Sequence, residues 1–128
     1  MCSRAPSRLI GVLLACALGA AARGQTAAAQ DASAGKLVFM QCVACHSIDG
    51  STRTGPTLKG IVGRKAGSVA EFHYSRAMKR AAIVWDAATL DAYLNHPQQQ
   101  IPGNTMPFAG IGDAKQRADL VAYLQTLQ

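Results

Sequence analysis

The first apolar feature of the chain is continuous, not periodic: Leu9 to Ala22 carries no charge, with Arg4 and Arg8 before it and small residues after it. As a helix these 14 residues would rise only about 21 Å, short of the ~30 Å hydrocarbon core of a bilayer. The pattern fits a cleavable secretory signal, not a membrane span. Small-x-small sequences at residues 20–22 and 27–29 give two cleavage points, and the second divides the chain into a signal peptide, 1–29, and a domain, 30–128. Residues 23–33 hold almost no large apolar group and read as a tail, so the domain is expected to begin with a flexible stretch at 30–33.

From Ser33 the pattern becomes helical. Leu37, Val38, Phe39, Met40 and Val43 form a stripe that runs into Cys42 and Cys45, with Ser33 as the expected N-cap. Residues 47–68 are glycine-rich, with only Ile48, Leu58, Ile61 and Val62 as aliphatic anchors. So long a loop in a small domain implies that something other than packed secondary structure organises it, and a cofactor would do so. Residues 74–79 and 86–94 predict two short helices, the second capped by Asp86 and ended by Pro97. Residues 97–112, with three prolines and three glycines, read as loop. A final helix presents Leu120, Val121, Leu124 and Leu127 on one face, with Asp113 as its cap and with Arg117 and Gln125 pointing away. Neither a strand pattern nor a repeat is visible.

Composition narrows the function. The 128 residues suit one domain, and the formal charge of +6 drops to +3 once Arg4, Arg8 and Arg23 leave with the signal. The remaining bases are scattered and only seven aromatics exist, so the dense basic stripe and stacking platform of a nucleic-acid binder are missing. Of the four cysteines, Cys2 and Cys16 belong to the leader, which leaves Cys42 and Cys45. The sequence Leu13-Leu14-Ala15-Cys16 also resembles a lipoprotein cleavage box, in which Cys16 would carry a lipid tether.

Cys42-Val43-Ala44-Cys45-His46 is C-x-x-C-H, the attachment signature of c-type haem. Two thiols about one helical turn apart can each form a thioether to one edge of a flat macrocycle, and His46 then directs a ring nitrogen at the iron. A redox dithiol would need an α/β context that this chain lacks. A zinc site would need a further ligand, from His73 or His96. Met106 is the leading candidate for the opposite face of the iron: it lies in Pro102-Gly103-Asn104-Thr105-Met106-Pro107, where Pro107 biases it to an extended backbone. Met40 suits the core better, Met78 is intermediate, and His73 and His96 read as surface or loop residues. His/Met ligation raises a haem potential and fills both axial positions, which favours electron transfer over catalysis.

These residues together resemble class I cytochrome c, and in particular the small cytochromes related to the mitochondrial carrier. The resemblance runs from about Gly35 to Leu127 through CVACH, TGPTLKGIVGRKAG, YLNHPQQQIPGNTMPFAGI and RADLVAYLQ. It implies an all-α fold of about four to five helices, wrapped with long loops around one haem held covalently by Cys42 and Cys45. It implies His46 and Met106 as iron ligands, Pro56 as the carbonyl that accepts from the His46 ring, and Tyr93 as a hydrogen-bond donor near the methionine sulfur. Arg64, Tyr74 and Trp85 match residues around the haem propionates, and Asn104 is placed to donate to one of them. Gly35 and Phe39 of the first helix would pack against Leu120 and Tyr123 of the last.

The chain departs from the mitochondrial pattern at Met78, which replaces an asparagine and implies a drier pocket, and on its partner surface. Gln41, Gln98 and Gln99 stand where lysines ring the haem edge, although Lys36, Lys59, Lys65 and Lys79 remain. Charge steering towards partners should be weak, so electron-transfer rates with the native partner should fall only gently as salt is added; a steep fall would contradict this. The expected function is a monomeric periplasmic one-electron carrier, not an enzyme, serving redox proteins such as membrane-bound cytochrome complexes, oxidases or reductases. Two alternatives stay open: a haem peroxidase or gas-binding protein in which Met106 is displaced, and an electron donor tethered through Cys16.

Overall fold

The computed structural model describes residues 29–128. The apolar leader, Arg4, Arg8, Cys16 and almost all of the expected signal peptide lie outside them. Asp31 opens the first helix, α1 (Ala32–Val38), by accepting from the N–H groups of Ser33 at 2.8 Å and Ala34 at 3.2 Å. Ser33, the cap expected from sequence, sits inside the first turn and donates its hydroxyl to the same carboxylate at 2.6 Å. Of the stretch 30–33 expected to be flexible, residues 32 and 33 lie in α1 and Asp31 is its cap. Asp31 also donates its own N–H to Asp119 at 2.8 Å, and Ala32 packs part-buried against the core, so polar bonds add to a small apolar contact in holding this end.

A 3₁₀ turn, Phe39–Gln41, carries the chain from α1 to Cys42. Helix α1 packs on the last helix, and glycine decides which of its faces is inside. A Cβ at Gly35 would run into the Asp119 carbonyl and come within 2.9 Å of the Tyr123 side chain. One turn later Phe39 meets the Tyr123 ring at 5.2 Å between centroids. The apolar stripe read from sequence is corrected accordingly: Leu37 is 74% exposed and Met40, expected in the core, is 64% exposed.

Four further helices complete the fold: α2 (Arg76–Arg80), α3 (Ala87–Asn95), α4 (Pro97–Gln100) and α5 (Ala114–Gln125). Ser75 caps α2 through the Met78 N–H, and Asp86 with Thr89 forms a reciprocal capping box on α3. Helix α3 ends at Asn95 as expected, but Pro97 does more than stop it: it opens α4 from a first-turn position, where its missing N–H costs nothing. Asp113 caps α5 through the Gln116 N–H at 2.9 Å, and Leu120, Val121 and Leu124 are buried as the periodicity requires.

Arg117, expected to face away, is only 8% exposed. Its Nε donates to Asp91 at 2.9 Å, and its Nη1 donates to the carbonyls of Ile111 at 2.9 Å and Gly112 at 3.0 Å. A buried guanidinium needs such partners, and periodicity counts only apolar faces. The 47–68 loop is tied down by its own backbone: Gly63 N–H donates to Trp85, Ala66 N–H to Ile83 and Trp85 N–H to Arg64, at 2.7, 2.8 and 2.9 Å. One antiparallel bridge, Lys65 to Val84, joins the two segments where no strand pattern was visible. Among the described residues no helix is long and apolar enough to cross a membrane.

The contact between α1 and α5 makes stability depend on pH. Lys115, 2.6 Å away, and then the Asp31 N–H hold the Asp119 carboxyl below the usual carboxylate range, and Ser33 and Ala34 do the same for Asp31. A carboxyl with a lowered folded-state pKa stabilises the fold above its ordinary value of about 4 and ceases to as the pH falls through the folded value. Stability, followed by helical circular dichroism in urea, is therefore expected to be level above about pH 4 and to fall below it. Asp119→Asn is expected to be less stable at neutral pH with a shallower acid slope; an unchanged slope would contradict the assignment.

Candidate functional site

A cavity of about 400 Å³ opens in the centre of the fold. Its wall comes from the Cys42–His46 turn, the loop at 54–58, the segment containing Tyr74 and Met78, α3, the loop at 104–108, and the buried face of α5. All ten residues expected at the site from sequence, Cys42, Cys45, His46, Pro56, Arg64, Tyr74, Trp85, Tyr93, Asn104 and Met106, line it.

On one side the backbone curls tightly through the C-x-x-C-H segment. The N–H groups of Cys45 and His46 both donate to the Cys42 carbonyl, at 3.1 and 2.9 Å, which presents both thiols and the imidazole to the same space. Both cysteines are free and half-buried. Burial, and then the neighbouring Cys45, push the Cys42 thiol up to about 11. That is the opposite of the acidified thiolate of a dithiol oxidoreductase. His46 Nδ1 lies 2.7 Å from the Pro56 carbonyl. Donation there fixes the ring and its tautomer and leaves Nε2 with a free lone pair for a metal. Gly55 makes this approach possible, since a Cβ there would stand 2.6 Å from His46 Cε1. Sequence reasoning passed over Gly55, although its place in the Thr-Gly-Pro run just after the cysteines is a usable signal.

Elsewhere on the wall, Tyr93 directs its hydroxyl at Met106 Sδ, 4.0 Å away, and at Asn104 Oδ1, 3.4 Å away. Burial pushes the phenol up to about 12, so it remains a donor. Trp85 packs on the Tyr93 ring at 5.0 Å. Asn104 does not take the role expected of it. Both of its Nδ2 hydrogens are used within the protein, on the carbonyls of Pro97 at 2.9 Å and Ile101 at 3.0 Å, so no N–H remains for a propionate.

Arg64 is half-buried and donates to the carbonyls of Thr57 at 2.6 Å and Lys59 at 2.9 Å, which leaves other guanidinium N–H groups for an anion. Burial raises the Tyr74 phenol, and the Arg64 charge beside it opposes that shift. Met78 lines the cavity, whereas His73 and His96 are exposed. Gln41, Gln98 and Gln99 are exposed as well.

The donor set suits a tethered, planar, iron-bearing macrocycle: two thiols, an oriented imidazole and a thioether line one cavity with an aromatic, aliphatic wall, and they would hold such a group. A zinc ion has weaker support, because among the described residues no group of three or more His, Cys, Asp or Glu side chains is placed to hold a metal.

The profile of the cytochrome c family matches residues 32–128. Cytochrome c type-1 of Ascaris suum is 50% identical over 97 residues, spanning 74% of this chain and 87% of that protein. Cytochrome c2 of Rhodoplanes tepidamans is 44% identical over 97 residues, spanning 74% and 91%. Among solved structures, cytochrome cH from Methylobacterium extorquens superposes with a TM-score of 0.73 at 43% identity, covering 75% of this chain and 98% of that one.

Proposed function

The chain belongs to the cytochrome c family, and from that premise we propose that it carries single electrons between redox partners outside the cytoplasm, with His46 and Met106 as the two axial ligands. Its cofactor is haem c, joined through Cys42 and Cys45. When bound, that group supplies an iron that cycles between two oxidation states one electron apart.

The observation that carries the reading is that one cavity is lined both by an imidazole fixed through Pro56 and by a thioether that Tyr93 faces. Both donors are held before any electron moves, so the same ligands serve both oxidation states and little reorganisation accompanies transfer. The Tyr93 hydroxyl, kept protonated, tempers the sulfur by pointing a dipole at it. Arg64, Tyr74 and Trp85 line the same cavity and would compensate the carboxylates of the group when it is bound. The apolar wall excludes water from the centre and favours the less charged, reduced state.

The mouth of the site supports the partner reading. Gln41 and Thr105 line the cavity, and exposed Gln98 and Gln99 stand beside the methionine loop, so contact there relies on neutral polar groups. Signal cleavage near residue 29 and export to a periplasm complete the proposal, motivated by the charge-free run from Leu9 to Ala22.

An anaerobic redox titration of the native protein, followed optically, tests the function. The expected result is a single reversible one-electron wave at positive potential, reproduced on re-oxidation. Loss of reversibility, or rapid turnover of peroxide by the resting protein, would point to the enzyme alternative.

A further inference from the structure

We propose that Asn104 and Gln98 form an amide clasp that fixes the two peptides flanking Met106 and so determines whether its sulfur stays on the iron. The inference rests on the reading of Met106 as the axial ligand. Neither residue touches the iron; both are positioning residues.

The methionine loop has little secondary structure of its own after Gln100. Two backbone bonds, from Asn104 N–H to Ile101 at 3.0 Å and from Phe108 N–H to Met106 at 2.9 Å, are joined there by two carboxamides. Asn104 is 6% exposed and is fully used: its Nδ2 donates to Pro97 and Ile101 at 2.9 and 3.0 Å, while its Oδ1 accepts from the Met106 N–H at 3.0 Å and from the Tyr93 hydroxyl at 3.4 Å. One side chain thereby joins the end of α4, the ligand's own backbone and the phenol that faces the ligand's sulfur. Gln98 acts from the solvent side. Its Nε2 donates to the Asn104 carbonyl at 3.1 Å and to the Met106 carbonyl at 3.3 Å.

Met106 is therefore held at its N–H by Asn104 and at its carbonyl by Gln98 together with the Phe108 N–H, with both amides anchored on or against α4. The N–H and the carbonyl belong to the two peptides that flank the Met106 Cα, so a turn about Met106 φ or ψ, the simplest way to swing the thioether off the iron, must break one bond or the other. A carboxamide suits the task because it donates and accepts at once and does not titrate.

The test compares the native holoprotein with Gln98→Met, Gln98→Arg and Asn104→Asp, reading in the ferric state the absorption band that arises from sulfur-to-iron charge transfer and the rate of cyanide binding. Gln98→Met keeps length and lacks the donors, and because Gln98 is exposed it leaves the core intact. It is expected to bind cyanide about tenfold faster, the size of losing one to two net hydrogen bonds. Gln98→Arg, which restores a donor, is expected to return most of the way to the native rate. Asn104→Asp opposes a carboxylate to two carbonyls and is expected to weaken or abolish the band at neutral pH. A native band with unchanged band and cyanide rate in Gln98→Met and Asn104→Asp would overturn the clasp and leave the ligand reading standing. A native protein without the band would overturn both.

Discussion

Without haem, the chain is expected to lose its helical structure almost entirely. Keeping a cavity of about 400 Å³ open in the centre of so small a domain is costly. At roughly 24 cal/mol per Å³ the penalty is on the order of 10 kcal/mol, although water entering the cavity would reduce it. Net stabilities of small domains are about 5–15 kcal/mol, so little or nothing would remain. The residues left facing one another would be Leu90, Leu94, Leu120 and Leu124, all buried and all on the cavity wall. Far-ultraviolet circular dichroism of a Cys42→Ala/Cys45→Ala chain produced without haem maturation should show largely unfolded protein. Native-like helix content in that chain would mean that α1, α3 and α5 pack without the macrocycle.

Met106→Ala should produce the second large effect, and on chemistry more than on folding. The side chain is half-buried at the edge of the core, so its loss removes limited packing. What it removes at the centre is the soft donor that faces Tyr93. The sulfur-to-iron band should vanish, cyanide should bind at least ~100-fold faster, and the potential should fall on the order of 0.1–0.2 V, since a thioether ligand raises it. Protein film voltammetry and stopped-flow cyanide binding measure both. A variant with unchanged potential would show that another side chain fills the position.

The parts of this molecule legible in its sequence are those written in local spacing. C-x-x-C-H, the Met106 loop and the Leu120–Leu124 face can each be read from a few neighbouring residues, and the structure brings all three onto one cavity. What sequence alone hid depends on contacts between distant segments. Gly35 sets the inner face of α1 by allowing contact with Asp119, and no hydropathy pattern marks that face, so Leu37 and Met40 were misplaced. Arg117 looked like a solvent-facing charge because its partners, Asp91 and the carbonyls of Ile111 and Gly112, come from α3 and the loop before α5. Asn104 shows the same limit at the site itself. Its position suggested a bond to the cofactor, but which acceptors surround a carboxamide is a property of the folded loop, where Pro97 and Ile101 take both hydrogens.

Axial ligation is the point on which the account depends, because a six-coordinate haem carries electrons and an open one binds small molecules. The most direct measurement is the near-infrared magnetic circular dichroism of the native ferric protein at neutral pH, which reports the axial pair. Ligation by His46 and Met106 predicts a low-spin iron with the charge-transfer signature of imidazole and thioether. A high-spin signal, or that of two nitrogen ligands, would contradict it.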